Sequence, residues 1–226
     1  MNVAHRVLPA LALLAVLTAC AKTATQPAGT PSSPPGTSPA APTSTAPTST
    51  PGNTVAAPAP SPTEKPAPAD SAVPGDIPDT TQFVTHRSDA GHFTIKAPEG
   101  WAEQSGASSV TYTGTVNTIT VAWMPSATAP TSQSATSQDV AALRQSERGF
   151  QLGSVGTVTL PAGPAIEITY QANSAPNPVT GKQYRLDVAR YELWKSGTEA
   201  VITLSSPAGA DNADPWATVS KSFSWL

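Results

Sequence analysis

Residues 183–195, QYRLDVARYELWK, alternate between apolar and polar side chains over most of their length. Tyr184, Leu186 and Val188 fall on one side of an extended strand, whereas Arg185 and Asp187 fall on the other. A period of two residues over this length predicts a long β-strand with one buried and one polar face.

Similar runs surround this strand and are separated from it by the turn signals GP, NPVTGK and SG. In one of them Ile166 and Ile168 alternate with Glu167 and Thr169, which again predicts a half-buried strand. The runs are FTIKAP (93–98), SVTYTG (109–114), NTITVAWM (117–124), SVGTVTL (154–160), AIEITYQA (165–172) and EAVITLSS (199–206).

Two helices are predicted, far apart in the sequence. The first covers 137–148, with Ser137 as its N-cap and Gly149 as its stop. The second begins near the C-terminus, with Asp214 as cap and Pro215 at the first helical position. No βαβ unit repeats, so we expect an α+β domain built on a mainly antiparallel sheet that is flanked by helices.

One face of the C-terminal helix is expected to pack on the domain. Trp216, Val219, Ser220 and Phe223 recur at helical spacing and share that face.

The N-terminal residues predict export and lipid attachment. The apolar run of residues 7–17 is too short to cross a bilayer of about 30 Å as a helix, and it follows a basic head. This is the architecture of a signal peptide, here residues 1–19. Leu17-Thr18-Ala19-Cys20 matches the bacterial lipobox, and Cys20 is the only cysteine of the chain. An ordinary secretory peptide with an incidental cysteine is the alternative.

Residues 20–80 are predicted to form a disordered tether between the lipidated Cys20 and a globular domain at 81–226. Fifteen of the 25 prolines lie between Pro27 and Pro78, and this segment contains no aromatic residue. Such a composition cannot bury enough apolar surface to offset the entropy of ordering. All the Trp, Tyr and Phe residues of the chain follow it, so the core belongs to the C-terminal part.

Composition and motifs argue against several functions. The net charge is −3 and no run of Lys or Arg occurs, so no nucleic acid is expected as a partner. The domain has no cysteine, and His86 and His92 lack the spacing of zinc ligands, so no metal is expected. There is no G-x-S-x-G elbow and no phosphate-binding glycine loop. We therefore expect neither an enzyme nor a bound cofactor.

The candidate binding surface consists of two groups of residues. Glu167, Arg185 and Asp187 fall on one sheet face if their strands pair in register, although cross-strand charge pairs on a solvated face are the alternative interpretation. The other group is tryptophans, which are either core residues or part of a contact surface: Trp101, Trp123 and Trp194.

Three stretches together resemble the PsbP-like superfamily. FTIKAPEGW (93–101) is similar to its opening strand and turn, and PNPVTGK (176–182) is similar to the turn before its long strand. RYELWKSGTEAVITLSSPAGADNADPWATVSKSF (190–223) resembles its closing hairpin and helix. The superfamily includes bacterial lipoproteins of the LpqN type. The resemblance implies a central antiparallel sheet between helices, a binding or accessory role, and no shared catalytic residues.

These observations lead to one hypothesis and two alternatives. The chain is expected to be held by lipid on the extracytoplasmic face of the cell membrane, where its domain binds an envelope protein, lipid or glycan without catalysis. One alternative is a carrier of a small apolar ligand, which needs a closed apolar pocket. The weaker alternative is a hydrolase that uses a carboxylate pair, such as Glu167 with Asp187.

Overall fold

A computed structural model describes residues 64–69 and 75–226 of the chain. The predicted signal peptide (1–19), Cys20 and most of the predicted tether lie outside the described residues. None of the helices within the described ranges is both long enough and apolar enough to cross a membrane.

Two antiparallel sheets form the domain, as the predicted fold class requires. The large sheet has seven strands in the order β3-β4-β5-β9-β8-β7-β6, and the small sheet has three in the order β1-β2-β10. The strands are β1 (Phe83–Ser88), β2 (Phe93–Pro98), β3 (Ala102–Ser105), β4 (Ser109–Thr113), β5 (Thr118–Pro125), β6 (Gln151–Leu160), β7 (Gly163–Asn173), β8 (Arg185–Lys195), β9 (Thr198–Pro207) and β10 (Ser224–Trp225).

The long strand β8 lies inside the large sheet, between β7 and β9. Its register places Asn173 opposite Arg185 and Gln171 opposite Asp187. Strand β6 is an edge strand of this sheet, and a bulge between Leu152 and Ser154 interrupts its pairing with β7.

The first helical segment begins earlier than the sequence predicts. It consists of α1 (Ser132–Ser134), a π-helical turn (Ala135–Asp139) and α2 (Val140–Ser146). Thr131 is the N-cap, and its side chain and that of Ser134 form a capping box. The prediction that Ser137 is the N-cap is therefore wrong, because its hydroxyl donates to the carbonyl of Gln133 within the helix. The chain leaves the helix near the predicted stop, Gly149, whose φ is +54°.

Helix α3 (Ala213–Ser222) is present as predicted, but Asp214 is not its cap. Asp214 lies in the first turn, and the N-cap position belongs to Asn212. The side chain of Asn212 contacts an earlier segment instead of the helix: it accepts from the Ile77 amide at 2.7 Å and donates to the Gly75 carbonyl at 2.8 Å. This buried amide ties residues 75–77 to the start of the helix.

Each face of the large sheet carries its own core. On the first, which we call the α3 face, Ile202 and Leu204 pack with Phe93 of β2 and with Val219 and Phe223. The predicted inward face of α3 is confirmed, since Val219, Ser220 and Phe223 are buried and Trp216 packs at the margin. Burying one such large apolar side chain contributes about 1.5–3 kcal/mol.

On the opposite face, which we call the α2 face, Ile166 and Ile168 pack under Val140 and Leu143. The strands therefore carry helices on both faces, and the domain is an α+β fold around a mainly antiparallel sheet.

Candidate binding groove

A groove of about 870 Å³ lies at the start of the edge strand β6, and its lining residues come from both faces of the large sheet. Thr169, Gln171 and Asp187 line it from the sheet. The groove reaches from Trp216 in α3 to Leu152 near the start of the edge strand β6. Its volume is in the range of typical ligand pockets, but it is open to solvent and its lining is about equally polar and apolar.

Asp187 is held in place at the groove by two donors. Its Oδ1 accepts from the Gln171 side chain at 2.8 Å, and its Oδ2 accepts from the Gly209 amide at 3.1 Å. The residue remains exposed, so its carboxylate can still receive a donor from a bound partner.

Arg185 is buried beside the groove and is 4% exposed. Its Nη1 donates to the Gly149 carbonyl at 2.6 Å and to Asn173 Oδ1 at 2.9 Å, and its Nη2 donates to Gln151 Oε1 at 2.6 Å. Burial lowers the pKa of Arg185, and the charge of Asp187 partly counteracts that shift. Arg185 therefore supports the start of β6 from below and is not itself a surface group.

Asn173 links this network to residues 64–69, which the sequence assigned to the tether. Its Nδ2 donates to the Lys65 carbonyl at 2.8 Å, and its Oδ1 accepts from the Ala67 amide at 2.8 Å. Glu64 accepts from Gln183 at 2.6 Å and forms an ion pair with Arg148 at 3.0 Å. Residues 64–69, called the strap below, are thus fixed to the domain through both their backbone and a carboxylate.

The pKa of Glu64 follows from these contacts. Burial raises it, but hydrogen bonds from Asn173, Gln183 and Arg148, with the positive charge of Arg148, outweigh burial and lower the pKa below its ordinary value. The strap is therefore held by an ionised carboxylate at neutral pH.

Aromatic residues are present at both ends of the groove. At the β6 end, Phe150 packs on Tyr170 of the α2-face core with ring centroids 5.3 Å apart, and the Arg144 guanidinium lies 5.6 Å from the Phe150 centroid. Burial, and then the charge of Glu147, raises the pKa of Tyr170 well above its ordinary value. At the α3 end, Trp216 meets Trp101 edge to face, with centroids 6.4 Å apart.

The structure brings together only part of the surface predicted from the sequence. Arg185 and Asp187 lie at the groove, on the face that was expected to be polar. Glu167 shares that face but lies opposite Tyr191, and burial, followed by the hydrogen bond with Glu167 and the charge of that carboxylate, raises the pKa of Tyr191 to about 12. Four residues of strand, or about 13 Å, separate the Glu167 and Asp187 positions. That separation is too long for the carboxylate pair of a glycosidase, at about 5–9.5 Å.

The three predicted tryptophans do not form one surface. Trp101 contacts Trp216 from behind the groove, and Trp123 packs on Phe93 in the core with centroids 5.7 Å apart. Trp194 lines a separate cavity of about 480 Å³ together with Glu192, which is directly opposite Ile166 of the α2 face.

Three side chains linked by hydrogen bonds are of the residue types found in a catalytic triad, but they are linked in a different order. Ser105 Oγ donates to Glu103 Oε1 at 3.1 Å, and Glu103 Oε2 lies 3.1 Å from His86 Nδ1. Nucleophilic catalysis needs the base between the hydroxyl and the acid, so that the imidazole takes the hydroxyl proton. Here the carboxylate lies in the middle, and the arrangement cannot activate Ser105.

Among residues 64–69 and 75–226, no cluster of three or more His, Cys, Asp or Glu side chains is placed to hold a metal ion. Sequence reasoning missed Arg144, Phe150 and Glu192, which line the two cavities, and Asn173 and Glu64, which form the network beside the groove. Glu192 could have been found from the alternation of β8, because it lies on the same face of the strand as Leu186 and Val188. A carboxylate at such a position is buried unless the strand ends before it.

No protein family model matches the chain, and no curated protein matches it. Several solved structures are similar to part of this chain. The chain is similar to cyanobacterial PsbP from Synechocystis, with 13% identity and a TM-score of 0.46 over 67% of this chain and 98% of that one. It is also similar to the Ran-binding protein Mog1p of Saccharomyces cerevisiae, with 12% identity and a TM-score of 0.44 over 64% and 95% of the two chains.

A third similar structure is LpqN of Mycobacterium tuberculosis, described as involved in cell envelope biogenesis. The identity is 17% and the TM-score is 0.40, over 65% of this chain and 91% of that one. PsbP and LpqN are the kinds of protein that the sequence motifs resemble.

Proposed function

We propose that this chain is an exported lipoprotein of the cell envelope, whose globular domain binds a partner protein in the groove and catalyses no reaction. The observation that carries the binding proposal is the groove itself, an open depression of about 870 Å³ with Asp187 held in place in its floor. The proposed anchor is supported by the lipobox that ends at Cys20. The diacylglycerol attached to such a cysteine carries two acyl chains, which are enough for stable membrane attachment.

The edge strand β6 favours an extended protein segment as the occupant. Gln151, Leu152 and Gly153 of β6 line the groove, and β7 occupies only one side of the strand. Proteins usually protect an exposed edge with charged residues, proline or a bulge. Residues 151–160 contain no charged residue and no proline, and the bulge between Leu152 and Ser154 leaves the edge from Val155 onward without these devices. An added strand can pair with such an edge through its backbone while alternate side chains enter the adjacent groove.

The chemistry of the groove narrows the kind of segment that fits. Arg144 and Asp187 offer opposite charges, and Phe150 and Trp216 offer aromatic surface. These groups suit a segment of mixed polarity. An apolar carrier requires an enclosed, mainly apolar cavity, so the open and half-polar groove supports the protein-binding function over the carrier alternative.

Site-specific photocrosslinking in the bacterium that encodes the chain tests the binding site. A benzophenone amino acid replaces Leu152, which lines the groove and is 40% exposed. The matched control replaces Val84 of β1, which is 36% exposed and does not line the groove. We expect a discrete crosslinked envelope protein from position 152 only. Adding Asp187→Lys is expected to reduce its yield about tenfold, because the charge offered to the partner is reversed.

Two results would contradict the binding site: equal crosslinking at both positions, or crosslinking at position 152 that Asp187→Lys leaves unchanged. The anchor is tested separately by intact mass and membrane fractionation of the wild type beside Cys20→Ala. The wild type is expected to be membrane-bound and to begin at a lipidated Cys20, and the variant to be unprocessed or mislocalised. The same unlipidated soluble protein from both would contradict the anchor and leave the groove proposal standing.

A further inference from the structure

The second cavity has a different chemistry from the groove and shares no lining residue with it. It has a volume of about 480 Å³, and its lining is mainly apolar. Pro130, Pro164, Ala165, Ile166 and Trp194 supply most of the apolar surface. A cavity of this size accommodates a compact organic molecule of several heavy atoms.

Glu192 is the one ionisable residue among those lining this cavity. Its side chain has no exposed surface, and its Oε1 accepts from Arg190 Nε at 2.8 Å. Its Oε2 has no hydrogen-bond partner among the described residues. A buried polar atom without a partner costs about 1–3 kcal/mol, and more if it is charged, so a donor that reaches Oε2 removes an existing penalty.

The surroundings of Glu192 favour a cationic donor. Asp139 of the π turn and Glu199 of β9 are both close enough for their charges to act on Glu192, and Arg190 is the cation between them. The guanidinium of Arg190 lies 3.9 Å from Asp139 and contacts Glu192. Its charge also acts on Glu147 and Glu199, so four carboxylates share one positive charge. Burial raises the pKa of Glu192 and of Glu199, and the charge of Asp139 raises both as well, against the opposing effect of Arg190.

Trp194 supplies a second element of cation recognition. Its Nε1 donates to the Ser126 carbonyl at 2.9 Å, which fixes the indole ring where it lines the cavity. An indole face attracts ammonium groups more strongly than other aromatic side chains do. The hydroxyls of Thr131, Ser132 and Thr157 also line the cavity and can accept further N–H groups.

We propose that this cavity is a binding site for a small organic cation, namely a primary amine with a compact apolar body. The Glu192 carboxylate, which has no exposed surface in the structure, turns toward the ligand so that the ammonium group donates to Oε2, and the apolar body packs against Trp194 and the proline and alanine side chains. The site is independent of the groove, so a failure of either proposal would leave the other unaffected.

Isothermal titration of the full chain with three compounds that share a cyclohexyl ring tests this proposal. The probes are cyclohexylamine, cyclohexanol and cyclohexanecarboxylate, which differ only in the polar group. We expect the amine to bind at least about tenfold more tightly than the alcohol, and the carboxylate to be weaker still. Equal affinity for amine and alcohol would show that the cavity binds apolar rings without recognising the ammonium group, and it would overturn the proposal. No amine binding up to about 10 mM would overturn it as well.

Matched glutamate variants locate the interaction. Glu192→Gln keeps the shape of the side chain and removes its charge, and it is expected to weaken amine binding at least about tenfold. Glu99→Gln removes one negative charge at an exposed position away from the cavity and is expected to bind the amine as the parent does. Amine binding by Glu192→Gln at the parent affinity would contradict the proposed site.

A measurement on the unaltered chain remains decisive if Glu192→Gln does not fold. The five tryptophans give five indole N–H signals in a proton–nitrogen NMR spectrum, and Trp194→Phe identifies the signal of Trp194. Cyclohexylamine is expected to shift the Trp194 signal and leave that of Trp101 in place. An unmoved Trp194 signal at saturating amine would exclude the site.

Discussion

Arg185 illustrates how a charged residue on a strand becomes part of the interior. Alternation along β8 correctly places Arg185 on the same face as Asp187, but it predicts two solvated side chains. Only Asp187 is exposed, because the chain segments around Gly149, Gln151 and Asn173 fold over the guanidinium and supply acceptors for it. Those acceptors come from residues 12 to 36 positions away in the sequence, so no local pattern could predict them.

Replacing this guanidinium with an ammonium group is expected to destabilise the domain. Arg185→Lys keeps the charge but cannot reach three acceptors with a planar fork, and it leaves buried oxygens without donors. We expect a loss of about 2–3 kcal/mol in the free energy of unfolding, measured by denaturant titration. Arg87→Lys is the control, since Arg87 is 60% exposed, and it should change that free energy by no more than about 0.5 kcal/mol. Equal effects of both substitutions would contradict the buried network.

At the scale of secondary structure, the sequence predicts the strands better than the helix termini. Every strand-like run from FTIKAP to EAVITLSS overlaps a strand of the structure, because alternation over six or more residues is a strong signal. The start of the first helical segment was missed since its π turn separates the buried Ala135 and Val140 by five residues. That spacing breaks the 3.6-residue period by which the helix would be recognised.

The two candidate caps of this helix can be compared directly. Thr131→Ala removes the hydroxyl that accepts from the Ser134 amide at 3.0 Å, and we expect a loss of about 1 kcal/mol in the free energy of unfolding. Ser137→Ala removes a hydroxyl that only donates to a helical carbonyl, so the stability should stay within about 0.5 kcal/mol of the parent value. Thermal unfolding of both variants measures the difference. A larger effect at Ser137 would place the cap where the sequence suggested.

At the scale of the whole molecule, the packed part of the chain extends further toward the N-terminus than composition indicates. Ile77 is buried, and the Gly75 carbonyl accepts from both Asn117 and Asn212. The strap adds Glu64 and its partners before that. A proline-rich segment lacks the apolar residues from which a core is predicted, but polar side chains of the domain can still bind its backbone. The partners are distant in sequence, so the contact is apparent only in the folded chain.

The strap is expected to detach when Glu64 is protonated. Since its pKa is lowered on folding, the folded chain holds this proton less tightly than the unfolded chain, and the contact is complete above the ordinary glutamate value of about 4.3. The contact weakens as the pH falls through the lowered pKa. Hydrogen exchange at the Ala67 amide, expressed as a protection factor at each pH, measures the attachment because that amide donates to Asn173.

Two variants separate the role of the Glu64 carboxylate from that of the strap backbone. Glu64→Ala is expected to remove most of the protection of Ala67 at neutral pH, because Arg148 and Gln183 lose their shared acceptor. Lys65→Ala should keep that protection, since Lys65 is exposed and contacts Asn173 through its backbone carbonyl. If protection in the parent did not change below the ordinary glutamate pKa, or if Glu64→Ala kept it, Asn173 alone would hold the strap. The position at which the tether joins the domain would then be insensitive to acid.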